Sequence, residues 1–284
     1  MKKWTAVQKR KAHGYVRGLI QLVFFILLPS AFTTAFSGVK YIFTQMGTGA
    51  KIERNPFVDV LIALLLYTVL FGRFFCGYAC SFGALGDAVR SFYLWICKKR
   101  KKKPIVFKES WGRVLIYVKY GILTGIVLLC FIGKYGDLGG SSPWDVFSML
   151  IAGNFKLGSY LIGTILLVLI LIGMAFCERF FCRFLCPMGA VFTWIPTLPF
   201  FTLQRTKEEC VKGCSGCKRV CPSDIDLPQA GSPDVPGECF QCGKCIHVCP
   251  KQNVKRSVVP KKLEFIFTIL RACLLAGLLV WAGV

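Results

Sequence analysis

Histidine is nearly absent. The chain has two, His13 and His247, and neither lies in an apolar run that enters a bilayer, which excludes a bis-His haem within the membrane. Acidic residues are also sparse, 14 against 36 Lys and Arg, and the formal net charge is +22. No DNA- or RNA-reading motif accompanies that charge, so nucleic acid is excluded as a partner. No Walker loop, dinucleotide fingerprint or hydrolase triad occurs, so hydride transfer would have to come from another subunit. The five Met are scattered, and no Met-rich or His-rich tract is present to deliver a metal.

What is abundant is apolar sequence. Hydrophobic residues make up 55% of the chain, and basic residues gather beside the apolar runs, the pattern of a multi-pass protein of the cytoplasmic membrane in contact with lipid. Crossing a ~30 Å hydrocarbon core takes about 20 apolar residues. Five segments qualify, near Leu19 to Phe36, Phe57 to Phe75, Val114 to Ile132, Tyr160 to Phe176 and Phe265 to Val284. The basic start, Met1 to Arg17, leads into a run without a small-residue cleavage site, so it is expected to remain as the first span. The segment after the second span carries Arg73, Arg90, Lys98 to Lys103 and Lys108, whereas the loop Gly133 to Ser159 has only Lys134 and Lys156. Basic loops stay inside, which places the N-terminus in the cytoplasm and the C-terminus outside. The Lys98 to Lys103 run is expected on anionic headgroups.

Within these runs, Pro29 is positioned to kink the first span. Ser142-Pro143-Trp144-Asp145 and Asn55-Pro56 read as helix starts, with Asp145 and Asp59 in the first turns and Trp144 at the outer interface. Lys119 is expected to snorkel to the cytoplasmic surface, and Arg271 to snorkel or form an ion pair.

The sixteen Cys carry the chemistry. Cys239, Cys242 and Cys245 with Cys249-Pro250 follow Cys210, Cys214 and Cys217 with Cys221-Pro222. Three close thiolates and a fourth followed by Pro is how two-cluster ferredoxins hold two [4Fe-4S] cubanes, the fourth Cys of each run serving the other cluster. On that rule Cys210, Cys214, Cys217 and Cys249 hold one cluster, and Cys239, Cys242, Cys245 and Cys221 the second. Zinc prefers separated Cys pairs and would leave thiolates unused, and a disulfide framework conflicts with a reducing compartment. The fold class is therefore mostly α: a membrane domain over residues 1–203, a small cytoplasmic α+β two-[4Fe-4S] module over 204–257, and a C-terminal transmembrane helix over 258–284.

An internal repeat underlies the membrane domain. Gly72-Arg73-Phe74-Phe75-Cys76-Gly77-Tyr78-Ala79-Cys80-Ser81-Phe82-Gly83-Ala84 is echoed by Glu178-Arg179-Phe180-Phe181-Cys182-Arg183-Phe184-Leu185-Cys186-Pro187-Met188-Gly189-Ala190. Each copy ends a span, so a duplicated two-helix unit places both on one side of the membrane. The spacing of Cys76 with Cys80, and of Cys182 with Cys186, is i, i+4. A helix continuing through each pair would put its sulfurs on one face, and the four would form one shared site for a third cluster or another thiophilic metal.

Paired Cys-x3-Cys motifs at helix ends followed by two ferredoxin runs resemble the NapH-type membrane iron-sulfur proteins, the quinol dehydrogenase components of periplasmic nitrate reductase systems. The broader group includes NosR-type and CcoG-type proteins, whose additional extracytoplasmic domains have no room in this chain. Ser81 stands where the family pattern has Pro, and a fifth span follows the clusters. The resemblance implies an electron-transfer protein that takes electrons from quinol or a cytoplasmic donor to an extracytoplasmic flavin, haem or molybdenum partner. Asp145 or Asp59 would accept the quinol protons. The alternative is a CcoG-type assembly factor handling copper, since thiolates suit Cu(I).

Overall fold

The computed structural model describes all residues except 1–5, 106–108, 139–140, 156 and 234. The first of these gaps takes in the start of the basic N-terminal segment; Lys108 and Lys156 of the charge comparison also lie outside the described residues. Helices dominate: α1 (Ala6–Leu27), α2 (Ala31–Thr48), α3 (Pro56–Phe71), α4 (Ser81–Lys99), α5 (Glu109–Leu115), α6 (Val118–Phe131), α7 (Pro143–Ile151), α8 (Leu161–Phe176) and α9 (Pro187–Trp194). The cysteine-rich segment follows with β1 (Leu203–Arg205), the short α10 (Gly216–Arg219) and β2 (Val254–Arg256), and α11 (Glu264–Trp281) closes the chain.

The first apolar run is not one straight span. Pro29 ends α1, because proline has no N–H to donate and its ring clashes with the preceding turn, and α2 leaves at 62°. α2 then runs on to Thr48 as a core helix, burying Phe32, Ala35, Phe36 and Val39 against α3 and α6. Among the described residues, the stretches 112–131 and 261–281 are long and apolar enough to cross a membrane, and the bent α1–α2 pair is a third candidate. α3 and α8, at 16 residues each, are apolar but shorter. α8 exposes Ile165, Val168, Leu169 and Ile172, a face suited to lipid and not to water.

Both predicted helix starts form. Asn55 accepts a hydrogen bond from the Val58 amide at 3.0 Å and Ser142 from that of Asp145 at 3.4 Å, with Pro in each first turn. Trp144, expected at an interface, is buried edge-on against Phe36 at 5.5 Å. The same aromatic core continues where the repeat copies meet: Phe82 of the first stacks on Phe181 of the second at 4.5 Å, with Phe32 edge-on to both. Between helices in lipid there is little water to expel, so close packing of such rings supplies the cohesion.

Candidate electron-transfer site

The paired-cysteine motif departs from the expected helix geometry. After α3 and after α8 the chain makes a π-helical turn, Phe75–Ala79 and Phe181–Leu185, in which the Cys80 amide bonds to the Phe75 carbonyl and the Cys186 amide to that of Phe181, both at 2.9 Å. The second cysteine of each pair then turns extended and begins α4 or α9. The i, i+4 pair therefore does not lie on one α-helical face; wide turns of this kind recur at functional sites because they re-aim side chains. All four thiols are buried, and those of Cys80 and Cys182 hydrogen-bond across the two copies. No three His, Cys, Asp or Glu side chains among the described residues are close enough to hold a single metal ion.

Two arginines organise this region, and Arg73, counted in the sequence as a basic loop residue, is one of them. Arg73 and Arg179 occupy equivalent positions and are 1% and 2% exposed. Each hydrogen-bonds the first thiol of its own copy, Cys76 or Cys182, and crosses to the first-cysteine carbonyl of the other copy: Arg73 to Cys182 at 3.4 Å, Arg179 to Cys76. The crossing needs room, and the motif supplies it with equivalent glycines. A Cβ on Gly189 would sit 3.0 Å from the Arg73 guanidinium, and one on Gly83 would collide with that of Arg179. Hydrogen bonding with Cys80, against the upward push of burial and helped by Arg179 and Arg73, draws the Cys182 thiol down to about 6. The other three thiols are pushed up, Cys80 first by that same hydrogen bond and Cys76 and Cys186 first by burial, so the site favours one anionic sulfur, at Cys182.

Buried cations need partners, and each arginine has a carboxylate. Asp87 of α4 accepts from Arg179 and Arg17 at 2.6 Å. Glu238 accepts from Arg73 at 2.9 Å and from Lys119. Against the upward push of burial, Arg179 and Arg17 hold the Asp87 carboxyl down to about 2, and Arg73 with Lys119 lower that of Glu238. Lys119 therefore does not snorkel; it is fully buried because Glu238 reaches it. Arg271, in contrast, finds no anion: all three guanidinium nitrogens lack a hydrogen-bond partner, and the group lies between the faces of Phe74 and Phe267 at 4.3 and 4.7 Å. Asp59 pairs with Arg54, and Asp145 stays at its helix start, so neither joins the cysteines.

The two ferredoxin-type runs form two concavities. One is lined by Cys210, Cys214, Cys217 and Cys249, the other by Cys221, Cys239, Cys242 and Cys245, with Cys217 also on its wall. Each concavity thus gathers the four cysteines assigned to one crossed set. The antiparallel pair β1–β2 ties the ends of the segment together, Leu203 opposite Arg256. Buried Arg256 fastens it to α11 through Glu264 at 2.8 Å and to Gln241 at 2.8 Å.

The second run lies directly on the paired motif. Phe240 stacks under both crossing arginines, 4.8 Å from Arg73 and 5.8 Å from Arg179, and Tyr78 donates to the Cys242 carbonyl at 3.0 Å. Gly77 makes this approach possible, since a Cβ there would strike the Phe240 carbonyl; the second copy carries Arg183 at the equivalent position, which reaches the Pro222 carbonyl at 3.5 Å and Asp224 at 3.9 Å. His13, expected in a solvated basic tail, is buried: it shares a hydrogen bond with Tyr78 at 3.2 Å and stacks on His247 at 4.5 Å.

A family model described as a 4Fe-4S binding domain matches residues 60–104 and 161–198, the two repeat copies with their cysteine pairs. The ferredoxin-type protein NapH of Haemophilus influenzae is 27% identical over 209 residues, 70% of this chain and 67% of that protein. These matches support a NapH-type membrane ferredoxin family for the chain. The chain is also similar to the methylamine utilization ferredoxin-type protein MauN of Methylobacillus flagellatus, 25% identical over 89% of this chain and 71% of that one. An uncharacterized protein of Methanocaldococcus jannaschii is 28% identical over 87% of this chain and 97% of its own length. No solved structure matches. Iron-sulfur electron transfer at a membrane is the activity that these relationships and the apolar helices support.

Proposed function

We propose that this ferredoxin carries electrons between quinol, or a cytoplasmic donor, and an extracytoplasmic redox partner, with three cofactor sites in series. Cys210, Cys214, Cys217 and Cys249 would hold one [4Fe-4S] cluster, Cys239, Cys242, Cys245 and Cys221 a second, and Cys76, Cys80, Cys182 and Cys186 a third cluster or other thiophilic metal. Such clusters supply reversible one-electron storage; the protein supplies position and potential. The observation that carries the reading is the seating of Phe240 and the Cys242 carbonyl on the paired motif. It puts the second set of thiols against the third and leaves the first, with Cys214 exposed, toward solvent.

Five crossings, with the N-terminus and both cysteine runs inside and the C-terminus outside, complete the proposal. In support, the Lys98 to Lys103 run begins in the last turn of α4, the helix that follows the first copy. A relay at the paired motif would carry electrons from the cysteine runs to the edge of the bilayer, with ~30 Å of hydrocarbon still to the opposite face.

Replacing Cys76, Cys80, Cys182 and Cys186 together by Ser tests the series. Metal content should fall to the about eight irons of two cubanes, and membrane electron transfer should stop while the remaining clusters stay reducible by dithionite. Unchanged metal with normal quinol-linked turnover would refute the third site; copper in place of iron would favour an assembly role.

A further inference from the structure

A groove of about 860 Å³ runs between α1 and α4 and is closed at one end by the cysteine-rich module. Its size is that of a site for a substantial small molecule. Gly14 and Gly18 form one wall and Ala84 and Ala88 the other, each pair spaced i, i+4 on its helix. A Cβ on Gly14 or Gly18 would meet nothing within 4 Å, so these glycines border open space and do not serve helix contact. Towards one end the lining is apolar, with Leu22 54% and Leu94 40% exposed, continuous with the exposed Leu19 and Ile26 of α1. That end opens onto the apolar surface.

The other end is polar and lies against the second cysteine run, through Lys244 and His247. Its inner charges are matched: Arg17 is paired with Asp87, Lys244 with Glu178, and Arg90 donates to the Ala175 and Phe176 carbonyls, while Arg10 and Arg219 on the same lining are exposed to solvent. A phosphate headgroup would have to displace those inner partners or stay at the rim with Arg10 and Arg219. What remains inside is hydrogen-bonding capacity. His247 Nε2 is buried without a hydrogen-bond partner, and the imidazole of His13 stacks beside it. An imidazole accepts from a hydroxyl in one tautomer and donates to a carbonyl in the other, so it suits both states of a carrier that alternates between them.

We infer that this groove binds the headgroup of a prenylated quinone at the His13–His247 end, with the tail leaving between α1 and α4 into lipid. The inference rests on the quinol reading above and adds the place and the residues that bind it.

The probe is a photoreactive azido-naphthoquinone with a short alkyl tail, applied to the purified full-length protein with its clusters in place. Saturable labelling should map to peptides of α1 and α4. Gly18→Leu and Ala88→Leu, which fill the groove from opposite walls, should each reduce labelling at least ten-fold while the cluster EPR spectra stay unchanged. Saturable labelling that persists in both variants, or that maps to the cavity between α3 and α11 beside Asp59, would overturn this site and leave the quinol reading standing. Absence of saturable binding to the wild-type protein would overturn both. A phospholipid retained on the wild type in native mass spectrometry and lost in Gly18→Leu, with the naphthoquinone label elsewhere, would make the groove a lipid site and reject the proposal.

Discussion

Arg73 donates to the carbonyl oxygen of Cys182 at 3.4 Å, across the boundary between the two copies of the repeat. With Arg179 doing the reverse, neither cysteine turn is held by its own copy alone. The two halves of the site therefore form together, and a rotation of one copy must disturb both.

Removing one member of such a buried pair strands the other. Arg179→Met leaves Asp87 with Arg17 and Gln21 and frees the Cys76 carbonyl, at a cost of about 3–5 kcal/mol. Thermal unfolding in detergent should show the loss, and the double variant Arg179→Met/Asp87→Leu should recover part of it. A single variant as stable as the wild type would remove the arginine from this role.

Gly77→Ala should separate the second cysteine run from the paired motif, because the new Cβ meets the Phe240 carbonyl. Hydrogen exchange at 239–245 is the measurement, and it should rise while α2 and α3 stay protected. Arg183→Ala, at the equivalent position of the other copy, should leave exchange at 239–245 unchanged.

Acid should destabilise the protein through His13. Burial first, then the positive charges of His247 and Arg17, push its imidazole from 6.5 down to about 3. The unfolded chain thus binds a proton that the folded one refuses between those values, so the stability contribution is complete above about 6.5 and declines as pH falls toward 3. Within that window the slope is about 1.4 kcal/mol per pH unit. Urea titrations at pH 7, 6 and 5 should show it, and His13→Gln should flatten it; equal slopes in both would assign the acid sensitivity elsewhere.

Crossed ligation predicts asymmetric losses. Cys249→Ser should remove the cluster held with Cys210, Cys214 and Cys217, about four irons, and spare the one beside Phe240. Cys221→Ser should do the opposite, so EPR of the two reduced variants should show complementary signals. Identical residual spectra would reject the assignment.

Spacing along the chain was enough to propose the thiol sets, because a ferredoxin cluster is bound by short local runs whose geometry a few residues fix. The apolar runs and the helix starts at Asn55 and Ser142 were equally local, each set by side chains within four residues. Pro29 marked the break between α1 and α2, though not how far α2 continues as a core helix. Only the tertiary structure decided the partners of the buried charges. Lys119 reads as a snorkelling residue until Glu238, 119 positions on, is brought beside it, and His13 reads as solvated tail until Tyr78 and His247 enclose it. The π turns were hidden for a related reason: an i, i+4 pattern is shared by α and π geometry, and the crossing of Arg73 and Arg179 beside Gly189 and Gly83 joins residues about a hundred positions apart. Such long-range contacts leave no local periodicity, since the energy that fixes them comes from matching buried charge across the fold.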